Sequence, residues 1–321
     1  MISMSIQKNI SLSSVTTYKT GGPADIYIDV NSVEELESAI RYAIQNELHY
    51  IVIGGGSNLL FDDCGIRGMA IKNNSCNIKI LEDCKLQNNI HSNTGDDDDF
   101  EIVYVDSGVE LKVFLESCVN NGLCGLEFLA GIPGTLGGAI YGNAGAYGKS
   151  ISQYIKNITV LSNGVKKTIE PTLAGFSYRH SFFKTNNDVI LGAEFILVKG
   201  ESKRINEEIN KIISERKARH PDPEFGSCGC FFKNAKDINS QLKISAGKLI
   251  EELDCCGLKV GDAGIYEGHC NFILNYGSAK TKDILELATT LKNKVFEKTG
   301  IILENEVQII LPNPPFKSIL I

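Results

Sequence analysis

The sequence has no run of Lys and Arg residues, and 39 acidic residues outnumber 32 basic residues, for a formal net charge of −7. Proteins that bind nucleic acid or an anionic membrane through surface charge need a positive field, which this composition does not provide. We therefore expect neither nucleic acid nor a membrane as a partner. An anionic ligand would have to be held by groups placed locally around it.

Long apolar segments are missing as well. No stretch of about 18 uncharged apolar residues, the length of a membrane-crossing helix, occurs in the chain. The opening segment, MISMSIQKNISLSSVTTYKT, lacks the basic region and apolar core of a secretory signal. We expect a soluble protein of the cytoplasm.

The ten cysteines show no metal-binding pattern. They include no C-x-x-C pair and no paired zinc spacing, and the five histidines form no cluster. Cys228 and Cys230 lie too close along a strand for the usual disulfide geometry, and no further ligands are spaced nearby. The sequence therefore predicts reduced thiols and no metal site.

Residues 73–100 differ in composition from the rest of the chain. They are rich in Asn, Asp and Ser and end in Asp96–Asp99, a block of like charges that repel one another and bury nothing. The block lacks the spaced acids, glycine and terminal glutamate of an EF-hand loop. We interpret the segment as a polar insertion, either a solvated loop or a hairpin.

Hydrophobic periodicity predicts alternating strands and helices. The predicted strands are 26–30, 50–53, 101–105, 155–161, 189–198, 271–275 and 307–311. The predicted helices are 33–46, 111–120, 202–219, 245–253 and 281–299, the last closed by Gly300. The charged helix at 202–219 ends at Pro221-Asp222-Pro223, which indicates a connection between domains.

Three consecutive glycines, Gly54–Gly56, directly follow a predicted strand. Glycine allows positive φ and lets backbone N–H groups approach an anion such as a diphosphate. The turn is not a dinucleotide-binding G-x-G-x-x-G motif, because Leu59 stands where the third glycine belongs. A plain tight turn is the alternative interpretation.

A second glycine-rich stretch occupies residues 122–148. Its end resembles a phosphate-binding G-x-x-x-x-G-K-[ST] loop, but Asn143 stands at the first glycine and excludes that motif. The glycines upstream, within 129–139, are too dense for a helix interior and too apolar for a flexible linker. Two glycine-rich surfaces in an acidic chain indicate a diphosphate held by backbone amides and not by lysines.

Several segments taken together resemble the UDP-N-acetylenolpyruvoylglucosamine reductase (MurB) family. They are, in chain order, YKTGGPAD at 18–25, IGGGSNLL at 53–60, GLEFLAGIPGTLGGAIYGNAGAYG at 125–148, FSYRHS at 176–181, GCFFKN at 229–234, AGKLIE at 246–251, HCNFILN at 269–275 and LENEV at 303–307. The resemblance covers nearly the whole chain in order, and no single motif carries it.

The resemblance implies an α+β fold. An FAD-binding region of the vanillyl-alcohol-oxidase (PCMH) type, with two α+β lobes, would be followed by a smaller α+β substrate-binding domain. The FAD-binding region would span 1–200, with lobes of about 1–72 and 73–200 and the polar insertion at 73–100. The substrate-binding domain would span 201–321.

The resemblance also implies a reaction. In the family, NADPH reduces FAD, and the reduced flavin N5 gives hydride to C3 of the enolpyruvyl group of UDP-N-acetylglucosamine enolpyruvate. Protonation at C2 then yields UDP-N-acetylmuramate, a peptidoglycan precursor. We therefore expect FAD as the cofactor, NADPH as the reductant, this sugar nucleotide as the substrate and a monomeric enzyme.

Three positions match the residues that carry this chemistry in the family. Arg179 would bind the substrate carboxylate and stabilise developing negative charge. Glu306, in or near its neutral form, would act with Arg179 as a pair that polarises the substrate. Cys230 would protonate C2. The residues expected to contact the flavin are Gly54, Gly55, Gly56, Ser57, Asn58, Leu59, Gly131, Ile132, Pro133, Gly134, Thr135, Gly137, Gly138, Asn143, Ala144 and Gly145. Those expected to contact the substrate are Tyr178, Arg219 and Asn234.

Cys230 departs from the family, which usually has serine at this position. A thiol has a pKa near ~8.5 and is a much stronger acid than an aliphatic alcohol, so it needs less help from its surroundings as a general acid. The alternative is that Cys230 is only a small buried residue and that catalysis is impaired.

A second departure concerns closure of the site. The short segment between Ser181 and Ile190 leaves no room for the tyrosine-bearing loop of one branch of the family, so the chain resembles the shorter branch that lacks it. Tyr266 stands where the family often has serine, and we hypothesise that it affects closure or packing there.

Two other functions remain open at this point. A flavin oxidase on the same scaffold would explain the glycine turns, but not the C-terminal segments. A non-catalytic protein that binds flavin or a uridine nucleotide would explain the departure at Cys230, but it would have no chemical reason to keep Arg179 and Glu306.

Overall fold

The structure is a computed structural model that describes residues 5–81, 99–236 and 243–314. Within these ranges the α-helices are α1 (Val33–Gln45), α2 (Leu111–Asn120), α3 (Leu136–Gly142), α4 (Ser202–Lys217), α5 (Ala246–Glu251) and α6 (Thr281–Thr299). The strands are β1 (Gln7–Ser11), β2 (Pro23–Val30), β3 (Tyr50–Ile53), β4 (Leu59–Phe61), β5 (Ile66–Asn73), β6 (Ile78–Leu81), β7 (Phe100–Asp106), β8 (Leu123–Cys124), β9 (Gly145–Ala146), β10 (Lys149–Ser150), β11 (Ile155–Ser162), β12 (Val165–Ile169), β13 (Val189–Lys199), β14 (Ala235–Lys236), β15 (Lys243–Ile244), β16 (Lys259–Val260), β17 (Ala263–Ile265), β18 (Ile273–Asn275) and β19 (Gln308–Ile310).

By their packing, the described residues divide into two units. The first unit combines 29–42 with the described part of 73–216. The second combines 5–28, 43–72 and the described residues from 217 onward. The prediction that 1–200 bind FAD and 201–321 bind substrate concerns ligand contacts, and it stays a prediction.

The first unit is built on an antiparallel sheet with the strand order β12-β11-β13-β7-β6, and β8 also pairs with β13. The long central strand β13 pairs with β7 from Gly192 opposite Asp106 to Val198 opposite Phe100. Apolar residues of the sheet, of α2, α3 and α4 form one buried core. Within it, the rings of Phe114 and Phe195 lie 5.2 Å apart.

The start of the predicted polar insertion belongs to this unit. Strand β6 pairs with β7 in an antiparallel arrangement. Ser75 is fully buried, and its Oγ accepts a hydrogen bond of 3.1 Å from Gly108 N–H. The pairing fits the hairpin alternative and the burial of Ser75 argues against a fully solvated loop, while the insertion bounds of 73–100 stay a prediction. Residues 82–98, with Asp96–Asp98 of the acidic block, lie outside the described residues.

Helix α3 contradicts the expectation that the glycines of 129–139 exclude a helix. Gly137 lies inside α3, and its N–H donates a 2.8 Å hydrogen bond to Ser107 O. A Cβ at Gly137 would lie only 2.9 Å from Ser107 Cβ. Because a side chain would separate the helix from this backbone, tight packing outweighs the low helix propensity of glycine.

The second unit contains a four-stranded sheet of order β1-β2-β5-β3. Strand β4 pairs in parallel with β19, Leu60 opposite Ile309, and β16, β17 and β18 form a separate antiparallel sheet. Helix α6 presents a buried stripe to the core of this unit, formed by Ile284, Leu287, Ala288, Leu291 and Val295. This spacing of three and four residues is typical of an amphipathic helix.

The helix ends follow local signals. Gly300 has a φ of 70° and terminates α6, as predicted, because glycine adopts the left-handed conformation without a Cβ penalty. Ser245 begins α5 by accepting a hydrogen bond from Lys248 N–H. The predicted helix at 202–219 ends earlier, at Lys217, and the predicted strand at 271–275 begins at Ile273 because the residues before it form a turn.

One pair of cysteines departs from the expected reduced state. Cys256 and Cys270 form a disulfide, with their Cα atoms 5.2 Å apart. The β16–β17 hairpin between them brings the two thiols together. The expectation of reduced thiols is therefore wrong for this pair, because the fold joins cysteines whose separation of 14 residues shows no pairing pattern in the sequence.

None of the helices in the described ranges combines the length and the apolar composition that a bilayer crossing requires. The same ranges contain no group of three or more His, Cys, Asp and Glu side chains arranged to hold a metal ion.

Candidate active site

The glycine turn at 54–58 lies in the second unit, between β3 and β4. Gly56 has a φ of 65°, and a Cβ there would lie 2.1 Å from Val15 O. Its carbonyl accepts a 3.2 Å hydrogen bond from Thr17 N–H, and Lys72 Nζ donates to the carbonyl of Gly54. Packing within the protein therefore accounts for Gly56, whereas Gly54, Gly55, Ser57 and Asn58 are half-buried.

Asn58 connects this turn to the segment that carries Glu306. Its Nδ2 donates a 3.1 Å hydrogen bond to the backbone carbonyl of Glu306, and its carbonyl accepts one of 3.0 Å from Gln308 N–H. The parallel pairing of β4 with β19 continues these contacts. Two predicted sites far apart in sequence thus lie side by side within the second unit.

Cys230 lies on a segment that pairs with the other side of the Glu306 segment. Glu306 N–H donates to Phe231 O at 2.8 Å, and Lys233 N–H donates to Glu304 O at 2.9 Å. A salt bridge of 3.0 Å between Lys233 Nζ and Glu304 Oε2 extends the pairing. These hydrogen bonds place two of the three predicted catalytic residues, Cys230 and Glu306, on neighbouring segments. Both residues are half-buried.

Cys228 differs from Cys230 in its surroundings. It is buried, and its Sγ lies 3.3 Å from Leu59 O as a hydrogen-bond donor. Burial raises the pKa of the Cys228 thiol far above its usual range, so this thiol stays protonated and structural.

Asn234 and Arg219 lie elsewhere in the second unit. Asn234 Oδ1 accepts a 3.2 Å hydrogen bond from Ala246 N–H at the start of α5, which is a structural contact. Arg219 is exposed after the end of α4. Burial, together with the positive charge of Arg219, lowers the pKa of His269. Substrate contacts of Asn234 and Arg219 stay predictions.

Arg179 lies in the first unit, at the tip of a tight turn. Ser177 and His180 exchange two backbone hydrogen bonds of 3.1 Å each, and Arg179 takes a φ of 55°. A left-handed conformation at a non-glycine residue is strained, typically by about 1–3 kcal/mol, and such strain is common at functional sites. Tyr178 is 39% exposed, with the Arg179 guanidinium 5.7 Å from its ring centre.

Two hydrogen bonds join this turn to the second glycine-rich stretch. Arg179 Nη1 donates to Gly145 O at 3.0 Å, and Asn143 Nδ2 donates to Ser177 O at 2.9 Å. Asn143 ends α3 in the left-handed conformation, with a φ of 46°. The first unit therefore brings Arg179 and Tyr178 together with the predicted flavin contacts Asn143 and Gly145.

The glycines of this stretch differ in what surrounds them. A Cβ on Gly131 would lie 2.8 Å from Arg216 Cδ, and one on Gly145 would lie 2.5 Å from Lys149 O. Gly138, Gly142 and Gly148 are different, because among the described residues only Thr135 Oγ1, at 3.8 Å from the Cβ position of Gly138, comes within 4 Å of their missing Cβ atoms. That open backbone fits a ligand that approaches closely, as a flavin nucleotide held by backbone amides would.

Sequence reasoning missed Asn271 and Asn305. Asn271 is 2% exposed and Asn305 is 7% exposed, and both flank residues of the predicted site. The available signal was an Asn next to apolar residues in HCNFILN, and an Asn on the same face as Leu303 and Val307 in LENEV, since a polar side chain within a buried segment needs a specific reason.

Comparison with known proteins gives two domain matches. Residues 24–164 match the FAD binding domain, and residues 221–310 match the C-terminal domain of UDP-N-acetylenolpyruvoylglucosamine reductase. The chain is 37% identical over 310 residues to the UDP-N-acetylenolpyruvoylglucosamine reductase of Carboxydothermus hydrogenoformans, covering 96% of this chain and 95% of the relative. It is 36% identical over 307 residues to that of Clostridium novyi, covering 95% and 92%.

Solved structures agree with these matches. The crystal structure of UDP-N-acetylenolpyruvylglucosamine reductase (MurB) from Thermus caldophilus superposes with a TM-score of 0.74 at 30% identity, over 96% of this chain and 99% of that chain. The 6-hydroxy-D-nicotine oxidase of Arthrobacter nicotinovorans reaches a TM-score of 0.56 at 12% identity, over 94% and 88%, which indicates a shared fold alone. The predicted α+β fold class with an FAD-binding region is confirmed.

Proposed function

Because the chain belongs to the UDP-N-acetylenolpyruvoylglucosamine reductase family, we propose that it uses NADPH to reduce UDP-N-acetylglucosamine enolpyruvate to UDP-N-acetylmuramate for peptidoglycan synthesis. The protein is an FAD-dependent oxidoreductase. When bound, FAD supplies the two-electron chemistry by accepting hydride from NADPH and delivering it to C3 of the enolpyruvyl group.

The pairing of the Cys230 and Glu306 segments beside the glycine turn carries the proposal. All three elements lie in the second unit, and they are joined by the Glu306 N–H bond to Phe231 O and the Asn58 bond to Glu306 O. A proton donor and a polarising carboxyl next to a glycine turn that can approach a flavin are what reduction of an enolpyruvyl group by a flavin requires.

In this proposal Cys230 donates the proton to C2. A thiol is a stronger acid than the hydroxyl of serine, so it can act as a general acid at neutral pH with less activation by neighbouring groups. Cys230 is half-buried, whereas Cys228 is held inside the unit by its contact with Leu59. The difference in exposure favours Cys230 as the thiol that meets the substrate.

Arg179 and Glu306 stabilise the negative charge that develops on the substrate. The guanidinium of Arg179 is permanently charged and can bind a carboxylate through two parallel hydrogen bonds. One of its nitrogens already donates to Gly145 O, which orients the group. Glu306 would contribute a hydrogen bond in or near its neutral form.

Backbone amides and not lysines hold the diphosphate of the cofactor. The net charge of −7 argues against a general positive surface, and the open backbone at Gly138 gives an anion close access to N–H groups. We assign the flavin to 1–200 and the substrate to 201–321, and we expect a cytoplasmic monomer.

An anaerobic absorption experiment tests the reaction. The flavin of the purified holoenzyme should bleach on addition of NADPH and recover on addition of UDP-N-acetylglucosamine enolpyruvate. Bleaching followed by recovery with oxygen but not with this substrate would favour the flavin oxidase. A protein without flavin, even after reconstitution with FAD, would contradict the proposal.

Variants of Cys230 test the proton donor. Cys230→Ala should leave flavin reduction by NADPH nearly unchanged and slow reoxidation by the substrate by about 10²–10⁴-fold, the usual contribution of a general acid. Cys230→Ser should retain activity with an altered pH dependence. Cys64→Ala, at an exposed cysteine, is the control. Equal losses in both half-reactions of Cys230→Ala would argue against proton donation.

A further inference from the structure

We propose that Asn271 is a positioning residue that holds the Cys230 segment in register with the Glu306 segment. The inference rests on the function proposed above and adds a residue to its machinery. Asn271 lies in the turn before β18 and is 2% exposed. It does not touch the reacting atoms in this proposal, and its effect passes through Phe231 and Phe232.

Asn271 binds the backbone of the two residues that follow Cys230, Phe231 and Phe232. Its Oδ1 accepts from Phe232 N–H at 2.9 Å, its Nδ2 donates to Phe232 O at 2.8 Å, and its backbone carbonyl accepts from Phe231 N–H at 2.7 Å. The partners fix the orientation of the amide, because the N–H of Phe232 needs an acceptor and its carbonyl needs a donor. The side chain thus takes the place of a neighbouring strand.

The Phe231–Lys233 segment is consequently held along two edges. Asn271 binds one edge, and Glu304 and Glu306 bind the other through Lys233 N–H and Phe231 O. Phe232 is 1% exposed, so loss of the Asn271 amide would leave its buried N–H and C=O without partners. A buried unpaired polar group is unfavourable enough that the segment would shift to regain partners.

The chain before Cys230 is anchored as far as Cys228, whose Sγ donates to Leu59 O at 3.3 Å, and one glycine separates that anchor from Cys230. Gly229 has a φ of 74°, and a Cβ built on it would meet no described atom within 4 Å. A glycine in open surroundings permits many backbone conformations. Because Gly229 adds little restriction, the position of Cys230 depends on the anchored residues on both sides, and Asn271 holds those on the C-terminal side.

Asn271 is itself held firmly. The preceding residue, Cys270, is bonded to Cys256. Phe272 N–H donates to His269 O at 2.9 Å, and Tyr266 N–H donates to Phe272 O at 2.9 Å, which closes the turn around Asn271. A side chain on such a support can fix its partners to within a fraction of an ångström, as catalytic geometry demands.

The test compares Asn271→Asp with Asn275→Asp in the holoenzyme. Asn275 is a matched control, because it is 3% exposed and its Nδ2 also donates to a backbone carbonyl, that of Tyr18, at 3.0 Å. Each substitution removes one amide donor and keeps the shape of the side chain. Only Asn271 contacts the Phe231–Phe232 backbone in this comparison.

We expect Asn271→Asp to slow flavin reoxidation by UDP-N-acetylglucosamine enolpyruvate by about 10²-fold, the effect of a misplacement of about 1 Å. Flavin reduction by NADPH should stay within about twofold of the wild type. The solvent deuterium isotope effect on reoxidation should rise, because proton transfer from a displaced thiol becomes more rate-limiting. Asn275→Asp should alter neither reoxidation nor the isotope effect beyond about twofold.

The outcomes separate this inference from the proposed function. If the wild type is not reoxidised by the substrate, the proposed function fails. If the wild type is reoxidised and Asn271→Asp matches Asn275→Asp in rate and isotope effect, the role of Asn271 is overturned. If Asn271→Asp does not fold with bound flavin, Asn271→Ala against Asn275→Ala carries the same comparison, since Asn271→Ala removes both side-chain hydrogen bonds to Phe232; wild-type behaviour of Asn271→Ala would equally overturn the role.

Discussion

Removing the Cys256–Cys270 disulfide should lower the free energy of unfolding of the second unit by about 3 kcal/mol. The two cysteines are 14 residues apart in sequence. Closing a loop of about 15 residues restricts the unfolded chain by an amount that corresponds to about 3 kcal/mol in the chain-entropy account of disulfides. The Cα separation of 5.2 Å lies within the ordinary range for disulfides.

Urea unfolding of the full-length protein, combined with hydrogen exchange of the amides in β16, β17 and β18, measures this loss in the unit that contains the bond. The double variant Cys256→Ala and Cys270→Ala should lose the stated free energy. A thiol reductant should destabilise the wild type to the same extent and leave the double variant unchanged. Cys64→Ala, at an exposed cysteine outside the bond, should behave like the wild type.

Two results would refute the reasoning. Alkylation of both Cys256 and Cys270 in the native protein without reductant would mean that the pair is not bonded. A bond verified by mass spectrometry whose removal changes the free energy of unfolding by less than about 1 kcal/mol would mean that restriction of the unfolded chain is not its main effect.

Three further predictions follow from single residues. Arg179→Lys should slow flavin reoxidation by substrate about 10- to 100-fold, because hydrogen bonds to charged groups contribute about 1.5–3 kcal/mol and lysine lacks the planar guanidinium. Arg67→Lys, at an exposed ion pair, is the control. Equal reoxidation rates in the two variants would contradict the role of Arg179. Because burial lowers the pKa of His269, the unfolded chain takes up a proton that the folded chain does not as pH falls through about 6.5. The free energy of unfolding of the wild type, measured in urea, should therefore fall on acidification. His269→Gln should lose less of this free energy over the same pH range. Asn305 has a buried Nδ2 and Oδ1 without hydrogen-bond partners in the described structure. Asn305→Leu should therefore raise the free energy of unfolding, measured by urea titration, by about 1 kcal/mol. A decrease in this free energy would mean that the amide has a partner in solution.

The sequence predicted the elements whose signals are local. Helix α6 begins and ends at the predicted residues, because an amphipathic repeat and a terminal glycine define it without help from distant residues. Helix α2 has its predicted bounds for a similar reason, and the strand at Tyr50–Ile53 was recognisable from its β-branched residues. The resemblance then identified the family from ordered segments.

Features that depend on distant parts of the chain could not be predicted in this way. The pairing of β4 with β19, the Cys256–Cys270 bond and the contacts of Asn271 with Phe232 all join residues that only the folded chain brings together. Helix α3 shows the same limit, since its glycines appear unsuitable for a helix until the close approach of Ser107 is known. The catalytic roles of Arg179, Cys230 and Glu306 stay predictions for the experiments above.

The parallel pairing of β4 with β19 also determines when the glycine turn at 54–58 can gain its neighbouring segment during synthesis. Asn58 and its partner Glu306 are 248 residues apart, so the glycine turn is made early and its neighbour is made almost last. At about 5–20 residues per second, a ribosome needs about 10–50 s to bridge that interval. A nascent chain therefore lacks the partners of Asn58 until β19 emerges, and a chain cut short before Glu306 lacks both that residue and the strand that pairs with β4.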